Sequence, residues 1–263
     1  MMLLMAAFLM APFVWMVLVS LHPPESAIPT LDKIVPKDPN WGNYRFVLFH
    51  ENLPVARFFL NSSVVALSVV TLQLFITSLA GYAFARLQFR GKELLFALFL
   101  GSMMFAGPVT QIPVYLLLRS LHWLDTFWAL IIPGISSAFN VFLFRQFFQQ
   151  IPLELSEAAR MDGASDFLIY RRVILPLSKA ALATAGAFTF FGVWTDFFGP
   201  LIYTNSTEMR TLEVGLSIFK NSYSGTNWPL QMAAAVIVML PLLIVFIACQ
   251  RYFVKGVVMG SIK

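Results

Sequence analysis

Charge is scarce in this 263-residue chain: Asp, Glu, Lys and Arg make up 12% of it, against 59% apolar residues. So little polar surface excludes a water-soluble domain, whereas a polytopic membrane protein presents its apolar surface to lipid. There is one cysteine, Cys249, in the last apolar run. Alone it forms neither an intramolecular disulfide nor a thiolate metal cluster, so it reads as a buried structural thiol. His22, His50 and His122 all fall near the ends of apolar stretches, and no His-x-x-x-His pair joins them. A phosphate-binding loop is missing too, because Gly91-Lys92 stands without the preceding glycine of a P-loop. With no nucleophile elbow either, ATP hydrolysis and intramembrane enzymology have no residues to run on. Energy for any work the chain does must come from another chain. Lys and Arg outnumber Asp and Glu, 18 to 13. They gather at the ends of apolar runs, and no basic patch interleaved with aromatics stands apart, so they mark topology and not nucleic-acid binding.

What is present is six apolar stretches, each near the ~20 residues a spanning helix needs. They run from about Met2 to Leu21, Phe59 to Ala85, Leu94 to Leu118, Phe127 to Phe148, Ala180 to Tyr203 and Leu230 to Cys249. The fold class expected is all-α and polytopic, one transmembrane domain over 1–263. Gly107, Pro108 and Pro113 interrupt the third stretch, as an ordinary kink or as part of a pathway. Arg86, Arg90 and Lys92, then Arg145, Arg160, Arg171, Arg172 and Lys179, then Arg251, Lys255 and Lys263 load one set of connections with positive charge. The opposite set holds fewer, which puts both termini in the cytoplasm and the segments 21–58 and 204–229 outside. The first stretch begins at Met1 with no basic residue ahead of it and no small-x-small site behind it. It is read as a retained helix whose cytoplasmic flank lies upstream of this sequence.

The connection between the fourth and fifth stretches, about 150–179, carries the most information. Pro152 suits the first turn of a helix, and Glu154 and Glu157 favour its N-terminal end. Gly163 supplies a stop. Ser165 caps a second short helix bearing Phe167, Leu168, Tyr170 and Val173, which Pro176 ends. The expected result is two short helices at a sharp angle. Ala158, Ala159 and Gly163 would allow a partner backbone close, and Glu157, Arg160 and Asp162 would offer it charges. The same residues also fit an amphipathic loop resting on lipid headgroups.

Glu157-Ala158-Ala159, three residues, Gly163, nine residues and Val173-Ile174-Leu175-Pro176 resemble the EAA signature of binding-protein-dependent ABC importer permeases, with Val173 where the family usually has Ile. Pro12 with Ser20-Leu21, Trp41-x-Asn43-Tyr44, Phe59-Leu60-Asn61-Ser62 and Tyr82-Ala83-Phe84-Ala85-Arg86 are similar to the carbohydrate-importer branch. The ending Gln250–Gly256, followed by Gly260-Ser261-Ile262-Lys263, resembles the second permease of maltose-type systems. The resemblance implies a type I importer permease in a bacterial cell (inner) membrane, with a second permease in a heterodimer, two ATPase subunits and an extracytoplasmic binding protein. ATP and Mg would sit on the ATPase, and no cofactor on this chain. Glu157, Ala158, Ala159, Arg160, Asp162, Gly163 and Pro176 would form the ATPase-coupling loop, with Gly256, Gly260 and Lys263 as a C-terminal contact. The stand-alone alternative, a secondary transporter or channel, would need paired intramembrane charges or two related halves, and neither is evident.

Candidate substrate residues are Asp196, Asn61, Gln73 and Asn140. Asp196 is the one acid well inside an apolar stretch, where a charge costs ~2.5–3.5 kcal/mol near the bilayer centre. Either it lines the cavity or it sits near the outer interface, as Gly199-Pro200 beside it favours. The amides serve substrate contact or helix–helix hydrogen bonding equally well. Sugars lead as solute, with a polyol, a sugar phosphate such as glycerol 3-phosphate or an amino sugar also compatible.

Overall fold

The computed structural model describes residues 2–24, 35–49, 54–105, 107–222 and 227–260, and all regular structure among them is helical. The first expected span is α1 (Met2–Ser20). A short α2 (Gly42–Phe49) precedes α3 (Val55–Arg86), an unbroken helix of 32 residues. The third span divides into α4 (Lys92–Ser102) and α5 (Gly107–Ser120). Pro108 therefore opens a helix, in the first turn where its missing N–H costs nothing, and Pro113 is carried inside it. The fourth span is α6 (Phe127–Ile131), a tight turn at Ile132–Gly134, and α7 (Ala138–Gln149), with a bend of 41° at the break.

Next come α8 (Leu153–Met161) and α9 (Asp166–Ile169), which continues through a π-helical turn at Tyr170–Ile174 into α10 (Leu175–Leu177). Pro176 does not end this segment as the sequence suggests. The widened turn just before it absorbs a ring that would otherwise press on the carbonyl four residues back. The chain turns instead at Ser178, by 82°, into α11 (Lys179–Trp194). The fifth span breaks again before α12 (Phe198–Tyr203), and α13 (Leu212–Ser222) and α14 (Trp228–Gly260) follow. Val55–Arg86 and Trp228–Tyr252 are each long and apolar enough to cross a membrane alone, and the two bent pairs pass the same test as pairs. Exposed Phe8, Leu67, Leu98 and Ile247 leave an apolar surface suited to lipid.

The residues fall into two compact units. In the first, Met1–Ser63 with Asp196–Ile244, the segments between spans are stapled by buried polar side chains. Asn43 Nδ2 donates to the carbonyls of Ser20 and His22, both at 2.7 Å, satisfying the end of α1. The hydroxyls of Ser20 and Tyr44 meet at 2.5 Å. Ser62 Oγ accepts from the backbone N–H of Leu212 at 2.8 Å, capping α13. Gly215 lies against the buried Phe58 ring, which a Cβ there would strike.

The second unit, Val64–Thr195 with Val245–Lys263, holds the main apolar core of interest. Tyr82, Phe144, Phe148, Ile169, Tyr170 and Ile174 are buried together in it. Gly81 lets α3 and α7 approach so closely that a Cβ would lie 2.5 Å from Phe144 Cβ and 3.2 Å from the Arg145 backbone nitrogen. On a neighbouring face Arg145 pairs with Glu93 at 3.0 Å and covers the Phe96 ring at 3.9 Å.

Candidate functional site

The loop expected from the sequence is present: two short helices joined at Gly163, whose φ of 81° is the left-handed conformation that glycine adopts at least cost. The Gly163 N–H donates to Arg160 O at 2.9 Å and the Ala164 N–H to Ala159 O at 2.9 Å, closing α8. Ser165 Oγ accepts from Leu168 N at 3.4 Å at the start of α9. Along α8 the faces divide. Glu157, Ala158, Met161 and Asp162 are exposed, Met161 at 89%. Ala159 instead packs inward on the core, so its small size serves this chain's own packing. Arg160 is already engaged, bonding Asp166 at 2.8 Å across the bend. That carboxylate, first by its hydrogen bond and then by its charge, holds the guanidinium further toward its protonated form. The other exposed charges here are Glu154 and Glu157 on α8 and Asp162 at its C-terminal end.

The loop stands on a rigid base. Ile169, Tyr170 and Ile174 are buried against Tyr82 and Phe148. The Tyr170 and Ser78 hydroxyls meet at 2.7 Å, and the Tyr170 ring lies 5.4 Å from that of Tyr82. Arg86 reads in the sequence as a topology charge at the end of a span, yet it is 8% exposed. Its guanidinium donates to Phe148 O at 2.7 Å and to Ile151 O, tying the C-terminus of α7 and the entry to α8 onto α3. A cation at that helix end also meets the negative end of the helix dipole. Arg86→Ala removes the charged donor shared by two carbonyls and leaves Ile151 O without it, at a cost on the order of 2 kcal/mol. A clearly lower thermal midpoint of the purified chain in detergent is expected, with Arg86→Lys falling between.

The candidate pathway residues separate. Asn61 Nδ2 donates to the carbonyls of Glu208 (2.7 Å) and Arg210 (2.9 Å), so its donors hold a loop in place. Asp196 lies at the break after α11, with Oδ1 accepting from the Gly199 N–H at 3.3 Å as a cap of α12. Gln73 and Asn140 come together, joined by Thr189, which the sequence reading did not single out. Asn140 Nδ2 donates to Gln73 Oε1 at 2.7 Å and to Thr189 Oγ1 at 3.0 Å. Thr189 Oγ1 donates to Gln73 Oε1, and Gln73 Nε2 to Gly134 O, both at 2.5 Å. The three side chains are 2–8% exposed and line a cavity of about 320 Å³ at the break between α6 and α7. Thr184 and Thr195 bond the carbonyl four residues back in their own helix, as hydroxyls in apolar helices do; Thr189 turns to another helix. Of the C-terminal candidates, Gly256 and Gly260 fall in α14, and Lys263 lies outside the described residues. Among the described residues no group of His, Cys, Asp or Glu is arranged to hold a metal.

Apolar helices broken at a cavity that holds buried polar side chains, with a two-helix knob braced on an apolar core, fit a polytopic membrane permease. Residues 1–259 match the family described as binding-protein-dependent transport system inner membrane component, and the chain belongs to that family. It is 36% identical to the arabinooligosaccharides transport system permease protein AraQ of Bacillus subtilis (strain 168) over 88% of this chain and 81% of that one. It is 32% identical to the trehalose/maltose transport system permease protein MalG of Thermococcus litoralis over 99% and 94%. The crystal structure of a bacterial ABC transporter involved in the import of the acidic polysaccharide alginate superposes with a TM-score of 0.80 at 25% identity, over 95% of this chain and 92% of that chain. The chain is thus a permease subunit of an ABC importer with the type I fold, and ATP is hydrolysed by a separate subunit. Membership places it among inner-membrane components that work with a second permease, an ATPase and a binding protein.

Proposed function

We propose that the chain forms one half of the translocation pathway for a carbohydrate, and that the loop at 150–179 seats α8 on a cytoplasmic ATPase. Residues 1–263 act as one permease domain in a heterodimer with a second permease. Two ATPase subunits, which bind the ATP and Mg, drive it, and an extracytoplasmic binding protein delivers the solute. The observation that carries this reading is the division of α8: Ala159 and the segment after Ser165 are braced on the core, while Glu157, Ala158 and Asp162 face outward beside the Gly163 bend. A helix presented in this way on a rigid base transmits a push to α3, α7 and α11 instead of deforming. Glu157 would meet a basic group of the ATPase, and Gly256, Gly260 and Lys263 would supply a second contact. The excess of Lys and Arg in the loop's own set of connections supports a cytoplasmic position for the loop and both termini. The sugar class rests on the relatives AraQ and MalG, whose names are those of oligosaccharide and disaccharide systems.

The test is reconstitution. The complex purified through this chain, placed in liposomes with its binding protein, should take up radiolabelled oligosaccharide only with ATP. Uptake by this chain alone, without ATP, would establish a secondary carrier instead.

A further inference from the structure

Among the described residues, four buried side-chain atoms make no hydrogen bond within the chain: Tyr82 Oη, Arg86 Nε, Ser156 Oγ and Thr211 Oγ1. An unpaired buried donor or acceptor is costly, and native structures rarely keep one unless water or an ion meets it. Thr211 belongs to the first compact unit, whereas the other three belong to the second. Those three converge beneath the loop. Tyr82 and Arg86 are four residues apart on one face of α3, and are 4% and 8% exposed. The Arg86 guanidinium reaches Ile151 O at the entry to α8. Ser156, 4% exposed, shares the inward face of α8 with Ala159, which packs on the core cluster that contains Tyr82. The Tyr82 hydroxyl is within electrostatic reach of both Arg86 and Arg160, the residue after Ala159. The Tyr170 hydroxyl, whose ring lies against Tyr82, is already taken by Ser78 at 2.7 Å.

We infer that Tyr82, Arg86 and Ser156 enclose a site for one buried water molecule, and that α8 rests on α3 through it. The donor and acceptor count fits water. Arg86 Nε only donates, so its partner must accept, while the two hydroxyls can each donate or accept. A water that accepts from Nε–H keeps one lone pair and two hydrogens for Tyr82 and Ser156. That makes about three bonds, the usual number for a buried water. A small anion would also take three donors, but the guanidinium already faces two carbonyls around the C-terminal end of α7, where the helix dipole is negative. Its charge therefore leaves little call for a further anion. The inference concerns the support beneath the loop and stands whether or not α8 meets an ATPase.

The sign of two small deletions tests the site. With a water bound, Tyr82→Phe and Ser156→Ala each remove one of its hydrogen bonds. Each should then lower the thermal midpoint of the purified full chain in detergent by about 2–4 °C. With no water there, each substitution only removes an unsatisfied buried hydroxyl, so a midpoint that rises or stays unchanged in both variants overturns the inference. Because the two hydroxyls act on one molecule, the double variant should lose less than the sum of the single losses, and strictly additive losses would show that they share nothing. Ser156→Asp carries a carboxylate into the place of the water, against Arg86 Nε, and should melt above Ser156→Ala. A lower midpoint than Ser156→Ala, as a buried unpaired carboxylate would give, overturns the convergence on Arg86. Replacing chloride by gluconate should leave the wild-type midpoint unchanged; a fall would make the occupant an anion and overturn the water. A high-resolution map of the whole complex should show one peak within ~2.7–3.2 Å of Tyr82 Oη, Arg86 Nε and Ser156 Oγ.

Discussion

Gly163→Asp is expected to abolish ATP-driven uptake while leaving the chain inserted in the membrane. The position has φ of 81°, and a Cβ built there meets nothing within 4 Å. Inside this chain the substitution therefore costs only the left-handed strain of a non-glycine residue, ~1–2 kcal/mol, which a braced loop tolerates. Outside it, the new carboxylate stands at the bend beside Glu157 and Asp162, where a backbone of the partner would approach. Uptake should fall by two orders of magnitude or more, equivalent to roughly 3 kcal/mol of lost coupling. Membrane abundance of the chain, read by immunoblot, should stay close to wild type. Normal uptake by this variant would contradict docking at the loop.

Gly81→Val should act in the opposite way, through the fold. Its Cβ would lie 2.5 Å from Phe144 Cβ and 3.2 Å from the Arg145 nitrogen, so no rotamer change relieves the collision and α3 must separate from α7. Overpacking of this kind typically costs 1–3 kcal/mol, and more where backbone must move. The contact lies beneath the base of the loop, next to Tyr82 and Phe148, so the loop loses its support as well. Little folded, monodisperse chain should survive detergent extraction, whereas Gly81→Ala should recover part of it. A wild-type yield and elution profile for Gly81→Val would mean that the two helices do not pack this closely.

The two variants mark what the sequence made legible and what it did not. The loop was readable because its signals are local: a capping serine at Ser165, a glycine where φ must be positive, and an acid, Glu154, in the first turn of α8. The break in the third span was readable in part, since Gly107, Pro108 and Pro113 punctuate it, whereas the break in the fourth at Ile132–Gly134 was not read from the sequence. Contacts between distant segments were not. Gly81 looks like any glycine in an apolar run, and only the approach of α7 gives it a role. Arg86 carries the same letter whether it marks a membrane edge or bonds Phe148 O and Ile151 O in the core. Asn61 and Asn140 are both amides in apolar helices, and their surroundings alone make one a loop staple and the other a cavity wall. Thr189 was hidden because a threonine in such a helix ordinarily bonds its own backbone. The end of the second short helix fell at Ser178 and not Pro176, because a π-helical turn has no clear signature in sequence.

The claim that α8 docks on the ATPase is tested most directly by disulfide or short-linker crosslinking from Ala158→Cys, an exposed position on the outward face, in a Cys249→Ser background. In native membranes carrying the whole complex, a crosslinked band containing this chain and the ATPase subunit is expected, weakened by Gly163→Asp. No band from an intact, transport-active complex, with cysteines placed across the ATPase surface cleft, would contradict the account.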